Sequence, residues 1–431
     1  MAVFALALFF IAIDNHTVLL HSVTMNITTT SLLAGISCLI LLTSCANSTA
    51  ESKRFPNGFA EIGITDAQVD EKINATVKRF FHGSASERLY YESGDDMAYM
   101  LDVGNKDVRS EGMSYGMMFT VQLDMKPEFD RLWKFAHEKM LNKSGDYEGY
   151  FAWHVTPEGK VIDANPASDG EQYFAAALFM ASSRWGDGEG ILNYRAEANK
   201  ILDHMLRHRE LINAAADSRV TDMIDPKTNQ VVFVPEGLSA GFTDPSYHIP
   251  HFYELFAQWA DKDQDRWAAI AAESRNLFRK ACNANTGLAA DYAGFDGTPV
   301  QQGSHYRFEY DAWRVAMNIA LDSLWWNKDA WQRDTWAKTY LGFFKKQGMG
   351  VYKSLYDIDG NHASGSHSTG LVAMNAVASL IGSKEDRKAY LKEFWTTPIP
   401  SGTWRYYDGC LYLFGMMQVS GRFRPIGETR R

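Results

Sequence analysis

Asp107-Val108-Arg109-Ser110-Glu111-Gly112-Met113-Ser114-Tyr115-Gly116-Met117-Met118 is the stretch on which the reading of the whole chain turns. A carboxylate stands just ahead of a run in which Met113, Met117 and Met118 recur at helical spacing, which predicts a helix facing a core. The glycines and Ser114 leave room beside Glu111 for another backbone or a ligand. Glu111 is therefore a candidate proton donor, or else a charge that only complements a helix N-terminus. Its company elsewhere in the chain decides between the two.

That texture recurs. Apolar residues at i, i+3, i+4 spacing mark twelve helices, at 66–81, 112–125, 127–141, 171–185, 191–208, 248–260, 264–282, 311–326, 328–346, 369–382, 385–395 and 409–418. Strand-like alternation is scarce. Runs such as GMSYGMMFTVQL, EQYFAAALFMAS and GLVAMNAVASLIG are apolar all round, whereas EFDRLWKFAHEKM and RAEANKILDHMLRH carry a charged face. The first kind belongs inside and the second outside. Inner and outer helices alternating six times predict an all-α fold, an (α/α)6 barrel in a single domain over residues 51–431, rather than a capped solenoid. Each inner helix follows a polar, aromatic or Gly-rich segment: DVRSEG, NPASDGE, FTDPSYHIP, HYRFEYD, ASGSHSTG and WRYYDG. If the inner helices run parallel, these six segments share one mouth, which is the candidate active site.

Composition narrows the chemistry. A net charge of −9 argues against nucleic-acid or anionic-membrane surfaces, which need clustered Lys and Arg. An aromatic share of 13%, with 12 Trp and 20 Tyr, suits a neutral ligand gripped by rings. At the predicted mouth stand three acidic residues, Glu111, Asp169 and Asp311, among aromatics and without a metal-ligand or phosphate motif. Glycoside hydrolysis needs such a set: one carboxyl kept protonated for the leaving oxygen, another kept ionised to activate water or attack carbon. For Asp169 and Asp311 the plain alternative is helix N-capping. The rival of another class is a non-catalytic glycan-binding lipoprotein, against which the presence of both Glu111 and Asp311 speaks.

Residues 1–50 read as an export segment. The runs 2–13 and 32–42 are apolar but shorter than the roughly 18–20 residues that span a bilayer. Leu42-Thr43-Ser44-Cys45 resembles a bacterial lipobox, with Cys45 as the lipidation site and Ala46–Ala50 as a polar tether. No Lys or Arg precedes Lys53, so the usual basic start of a signal is missing, and Met25 is an alternative initiator. The expected location is the bacterial cell envelope, with membrane contact only through that lipid. Cys282 and Cys410 are expected as buried free thiols.

DVRSEGMSYGMM, PASDGEQYFAAALFMASSRWG, TDPSYHIPHFYELFA, EYDAWRVAMN and WRYYDGCLYLF together resemble glycoside hydrolase family 8, closest its xylan-acting branch, across about residues 57–425. The resemblance implies an inverting (α/α)6 enzyme acting on xylan or xylo-oligosaccharides; no cofactor or metal is expected, and the expected state is a monomer. Block by block, it implies that Glu111 is the general acid and Asp311 the general base. It makes Asp169 the residue that binds and distorts the sugar at the cleavage point, and places Tyr247 near the attacking water. Arg314 steadies the base, Trp153 is a stacking platform, and Tyr407 and His367 contact substrate. In members that release xylose from the reducing end, a Leu-His-Pro loop closes the cleft; Ser366-His367-Ser368 stands at the matching position. The stiff proline is gone, which favours an open cleft and endo cleavage, with reducing-end exo action as the alternative. Other motifs carry less. His248-Ile249-Pro250-His251 has its helical spacing broken by proline, Asp357-Ile358-Asp359-Gly360-Asn361 lacks the rest of a calcium loop, and Trp325-Trp326 is expected to be packing.

Overall fold

The computed structural model describes residues 6–14 and 17–25 by their backbone and residues 55–429 in full. It divides into two units, Met1–Pro56 and Asn57–Arg431. In the first, β1 (Leu6–Asp14) pairs antiparallel with β2 (Thr17–Met25), and residues 6–13 of the first apolar run fall in β1. The second apolar run, Cys45 and its tether lie outside the described residues. No helix among the described residues is long and apolar enough to cross a membrane.

The second unit is helix-rich and its helices alternate in character. Those with one buried face are α1 (Asp66–His82), α3 (Lys126–Phe135), α5 (Tyr194–Leu211), α7 (Gln264–Ala281), α9 (Lys338–Gln347) and α11 (Lys384–Thr396). Between them come α2 (Ser110–Gln122), α4 (Ser168–Trp185), α6 (Pro250–Trp259), α8 (Trp313–Trp325), α10 (Thr369–Ser379) and α12 (Arg405–Val419). Every residue of α2 except Glu111 is buried, and every residue of α10 except Thr369. Helices enclosed on all sides sit inside, as their composition requires. Each of these six touches the next in chain order, and α12 returns to α2.

Several boundaries differ from the periodicity, and the differences matter at the site. Helices α2 and α4 start at Ser110 and Ser168, so Glu111 and Asp169 lie inside their first turns rather than ahead of them. Helix α8 starts at Trp313, because Asp291 Oδ1 accepts the Ala312 N–H at 3.1 Å and holds the turn carrying Asp311 outside the helix. Helix α6 begins at Pro250, where a missing N–H costs nothing. Outer helices predicted as continuous contain π-turns, at Ala136–Met140 after α3 and Gln332–Ala337 before α9.

Short antiparallel ribbons, which the sequence did not announce, occupy the loops. They are β3 (Tyr90–Ser93) with β4 (Met97–Met100), β5 (Val108–Arg109) with β6 (His154–Val155) and β7 (Val161–Asp163), and β8 (Ile224–Asp225) with β9 (Gln230–Val231). Strand β5 runs straight into α2, and the Ser110 N–H donates to Trp153 O at 2.9 Å, so this ribbon aims the helix start that carries Glu111. Trp325 and Trp326 are buried against His251 and Phe423, as packing residues. Cys282 and Cys410 are buried and unpaired.

Candidate active site

The segments ahead of the inner helices meet at a cleft of about 640 Å³. Glu111 enters from α2, Tyr310 and Asp311 from the turn before α8, Ser366 and Ser368 from the segment before α10, and Tyr407 from the start of α12. Beneath it, Asp169, Tyr247, Tyr115 and Arg314 line a narrow recess. The side chain that joins the two levels is Arg314, which is itself buried. Its Nη1 donates to Glu111 Oε2 at 3.0 Å, Tyr115 Oη at 2.6 Å and Asp169 Oδ2 at 2.9 Å, and its Nη2 lies 2.9 Å from Asp311 Oδ1. Its guanidinium also sits over the Tyr247 ring, 5.6 Å from the centroid. Residues from four inner-helix segments, up to 203 positions apart in sequence, are thus held by one cation.

One cation cannot neutralise three carboxylates in a low-dielectric setting, so protons are retained. Burial pushes Glu111 up to about 7; Arg314 opposes the rise, and Asp169 and Asp311 reinforce it. Burial likewise holds Asp169 above the usual carboxylate range, against the pull of Arg314. Asp311 is the more open of the two cleft carboxylates, its side chain 31% exposed against 17% for Glu111. An enclosed acid facing a wetter one is the asymmetry that proton donation from one and base action by the other require.

Several supporting residues went unassigned in the sequence reading. Tyr406 donates to Glu111 Oε1 at 3.2 Å, and Gly112 makes this possible, since a Cβ there would stand 2.3 Å from the Tyr406 hydroxyl. WRYYDG flagged the region but not which tyrosine turns inward. Beside the turn that carries Asp311, Asp291 Oδ2 lies 3.1 Å from His305 Nδ1; burial pushes Asp291 up to about 6, and the bond to Asp291 raises His305. Asp291, His305 and Glu309 are the one group among the described residues spaced to hold a metal, within 4.8 Å of one another. Their polar atoms already serve each other, the Ala312 N–H, Ser304 and Arg307, so the group braces the Asp311 turn.

The model for "Glycosyl hydrolases family 8" matches residues 101–421. The chain belongs to that family. It is 45% identical to the reducing-end xylose-releasing exo-oligoxylanase Rex8A of Paenibacillus barcinonensis, over 86% of this chain and 96% of that protein. It is 41% identical to a protein of the same activity name from Halalkalibacterium halodurans, over 88% and 96%. Endoglucanase 2 of Ruminiclostridium josui is more distant, at 27% identity over 74% and 65%. The solved structure of Rex8A complexed with xylose superposes with a TM-score of 0.82 at 43% identity, covering 87% of this chain and 98% of that one. With the family comes the enzyme class: the chain is a glycoside hydrolase, and the non-catalytic sugar-binding alternative falls.

Within this family 8 site the expected residues divide into three groups. Glu111, Asp311 and Tyr407 line the cleft; Asp169, Tyr247 and Arg314 lie directly beneath. Tyr407 is positioned by its hydroxyl, which donates to Tyr310 O at 2.8 Å. Trp153 and His367 stand apart. Trp153 is half-buried behind Arg109, whose guanidinium lies 5.7 Å from its ring, and Arg109 rather than Trp153 lines the cleft. His367, expected to contact substrate, is turned from the cleft lining: Nδ1 lies 2.8 Å from Tyr352 O and Nε2 3.1 Å from Glu393 Oε1 on α11. A hydrogen bond to that carboxylate raises the His367 pKa and strengthens the tether. His248 is satisfied by Thr243 and Ser274, and Asp357 by Arg307 and His362, so neither of these side chains is free for a cation, whereas the ring nitrogens of buried His251 have no partner.

Proposed function

We propose that this enzyme hydrolyses β-1,4-xylosidic bonds of xylo-oligosaccharides with inversion, releasing xylose from the reducing end, on an (α/α)6 barrel formed by residues 51–431. The observation that carries the proposal is Arg314 bound to Glu111 by one terminal nitrogen and to Asp311 by the other. A shared guanidinium keeps those carboxylates near enough to act on one sugar, and in an inverting pair a separation of roughly 6.5–9.5 Å admits the attacking water. Glu111, kept protonated, gives its proton to the leaving oxygen. Asp311 takes the proton of the water that attacks the anomeric carbon from the opposite face. Asp169 and Tyr247 grip the sugar between them. Arg314 fixes both Glu111 and Asp311 in place.

Reducing-end action replaces the endo cleavage favoured by the loop sequence. It is supported by relatives named for that activity, which align over almost their whole length, while the endoglucanases align at lower identity over less. A specific observation keeps endo action as a second reading. Ser366 and Ser368 present short side chains to the cleft, and His367 is bound away from it. Digestion of xylohexaose decides: exo action yields xylose and xylopentaose first, whereas endo action yields intermediate oligomers. No hydrolysis of xylohexaose or xylan overturns the proposal. We also propose that the chain is a monomer, exported to the cell envelope and lipid-anchored at Cys45. Palmitate labelling that persists in a Cys45→Ala variant contradicts the anchor.

A further inference from the structure

We infer that Asp244 is a positioning residue that works as a neutral carboxylic acid: it seats Tyr247 beneath Arg314 and spares the general base a second negative charge. The inference rests on the reading of the cleft as a xyloside-hydrolysing site with Asp311 as its base. Asp244 is fully buried and lines neither the cleft nor the recess beneath it, so its influence reaches the substrate only through its neighbours.

One of its oxygens builds a turn. Pro245 restricts the residue before it to extended backbone, and Asp244 adopts φ −102°, ψ 120°. From there its side chain folds back over the turn Pro245–Tyr247: Oδ1 accepts the Ser246 N–H at 2.6 Å, while the Asp244 carbonyl accepts the Tyr247 N–H at 2.9 Å. Neighbouring elements hold the same turn from outside. Asn318 on α8 donates to Ser246 O at 2.7 Å, and Tyr253 on α6 donates to Tyr247 O at 3.2 Å. Thr243 exchanges two backbone bonds of 2.9 Å with Ala293. The Tyr247 ring is thereby fixed under Arg314, the cation that also binds Glu111 and Asp311. Capping a turn needs only one oxygen, which serine or asparagine would supply as well.

The other oxygen is what a cap does not explain. Oδ2 is buried without a hydrogen-bond partner, and Arg314 pairs with Glu111, Asp169 and Asp311 instead. A carboxylate so placed is strongly disfavoured, because burial strips its water and nothing replaces it. The groups around it bring little relief. Asp311 from the turn before α8 and Asp291 from the segment after α7 are like charges, Arg314 on α8 opposes them, and burial keeps the hydroxyls of Tyr247 and Tyr292 protonated. Burial therefore holds Asp244 well above the usual carboxylate range, with Asp311 and Asp291 adding to the rise against the pull of Arg314. An anion at Asp244 would oppose the ionised form of Asp311, the form that can draw a proton from water. A neutral acid caps the turn without that cost.

The test joins infrared difference spectra to steady-state kinetics on xylotriose. Near neutral pH, the wild-type minus Asp244→Asn spectrum is expected to contain the C=O stretch of a protonated carboxyl, shifted down in D2O; carboxylate stretches in its place overturn the inference. Asp244→Ala is expected to lower kcat about 10²-fold, the loss that a misplaced catalytic group brings, with KM within about threefold. Asp244→Asn, neutral and able to accept the Ser246 N–H, recovers most of that loss. An Asp244→Asn enzyme as slow as Asp244→Ala means that a negative charge is required there, and an Asp244→Ala enzyme with wild-type kcat means that nothing is positioned; either overturns the inference. If Asp244→Ala does not fold, the spectrum and the kcat of Asp244→Asn decide, and a loss beyond about tenfold in the latter overturns the inference. A wild type inactive on every xylo-oligosaccharide sinks instead the reading of the cleft, and leaves the infrared result standing.

Discussion

Helix α8 carries two buried ionic clusters about 12 Å apart along its axis, eight residues at 1.5 Å each, and they are built on opposite plans. Toward its C-terminus, Asp322 accepts Arg275 through two bonds of 2.7 and 2.6 Å, Arg275 reaches Glu254 at 2.8 Å, and Lys328 reaches Glu254 at 2.7 Å. Two cations meet two anions, and Gln332 adds a further donor to Asp322. At its N-terminus, Arg314 alone faces Glu111, Asp169 and Asp311, and Asp169 Oδ1 and Arg314 Nε have no partner. The balanced cluster joins α6, α7 and α8 and leaves nothing to react. The unbalanced one holds a proton on Glu111 near neutrality and keeps polar atoms ready for a ligand. Charge balance, more than burial, separates the structural cluster from the reactive one.

The largest effects that would break this contrast lie in catalysis. Glu111→Ala and Asp311→Ala are each expected to lower kcat on xylotriose about 10³-fold, in the range for loss of a general acid or base, with circular dichroism and melting close to wild type. Near-normal turnover in either contradicts the assignment. At the other cluster, Arg275→Ala is expected to cost roughly 3–5 kcal/mol of stability by leaving Asp322 and Glu254 buried beside too few donors, read as a lower urea midpoint. A loss of that size from Asp311→Ala, or none from Arg275→Ala, removes the distinction between the clusters.

The pH dependence sharpens it. Glu111 must be protonated to donate, and it is raised to about 7, so kcat/KM holds below that value and falls about tenfold per unit above it. An alkaline limb near pH 5 would mean that the donor is not so enclosed. The smallest effect concerns Glu171, buried behind Asp169, whose Oε1 accepts the Phe151 N–H and whose Oε2 has no partner. Burial raises it to about 8, whereas an unfolded Glu titrates at about 4.3. Its neutral form therefore favours the fold below the unfolded value, and that contribution is lost as pH rises through about 8. Glu171→Gln should melt with wild type at pH 4 and roughly a few degrees above it at pH 9; a difference that does not grow with pH contradicts this.

The architecture was legible because burial leaves a periodic trace. Residues 369–382 are apolar on every side and 385–395 are not, which assigns α10 to the inside and α11 to the outside before any coordinates are known. The carboxylates were legible for a related reason: an acidic residue heading an apolar helix has to be explained, and Glu111, Asp169 and Asp311 each do so. What escaped depends on distance in the chain. That Arg314 would take both Glu111 and Asp311 follows from the packing of α8 against its neighbours, which no spacing encodes. His367 escaped because its partner, Glu393, belongs to an outer helix whose periodicity announces only a buried face. Trp404, an exposed ring in the cleft lining that rests on Gly104, escaped because an aromatic in WRYYDG reads equally as core or surface, and the glycine beneath it lies 300 residues earlier.

The account stands most directly on a water between Glu111 and Asp311, and the stereochemistry of the first product reports it. Proton NMR of xylotriose hydrolysis, followed faster than mutarotation, should show the α-anomeric signal of the new reducing end appearing first and the β signal growing later. The β-anomer appearing first would mean direct attack by a carboxylate, and would contradict the assignment of Asp311 as a base acting through water.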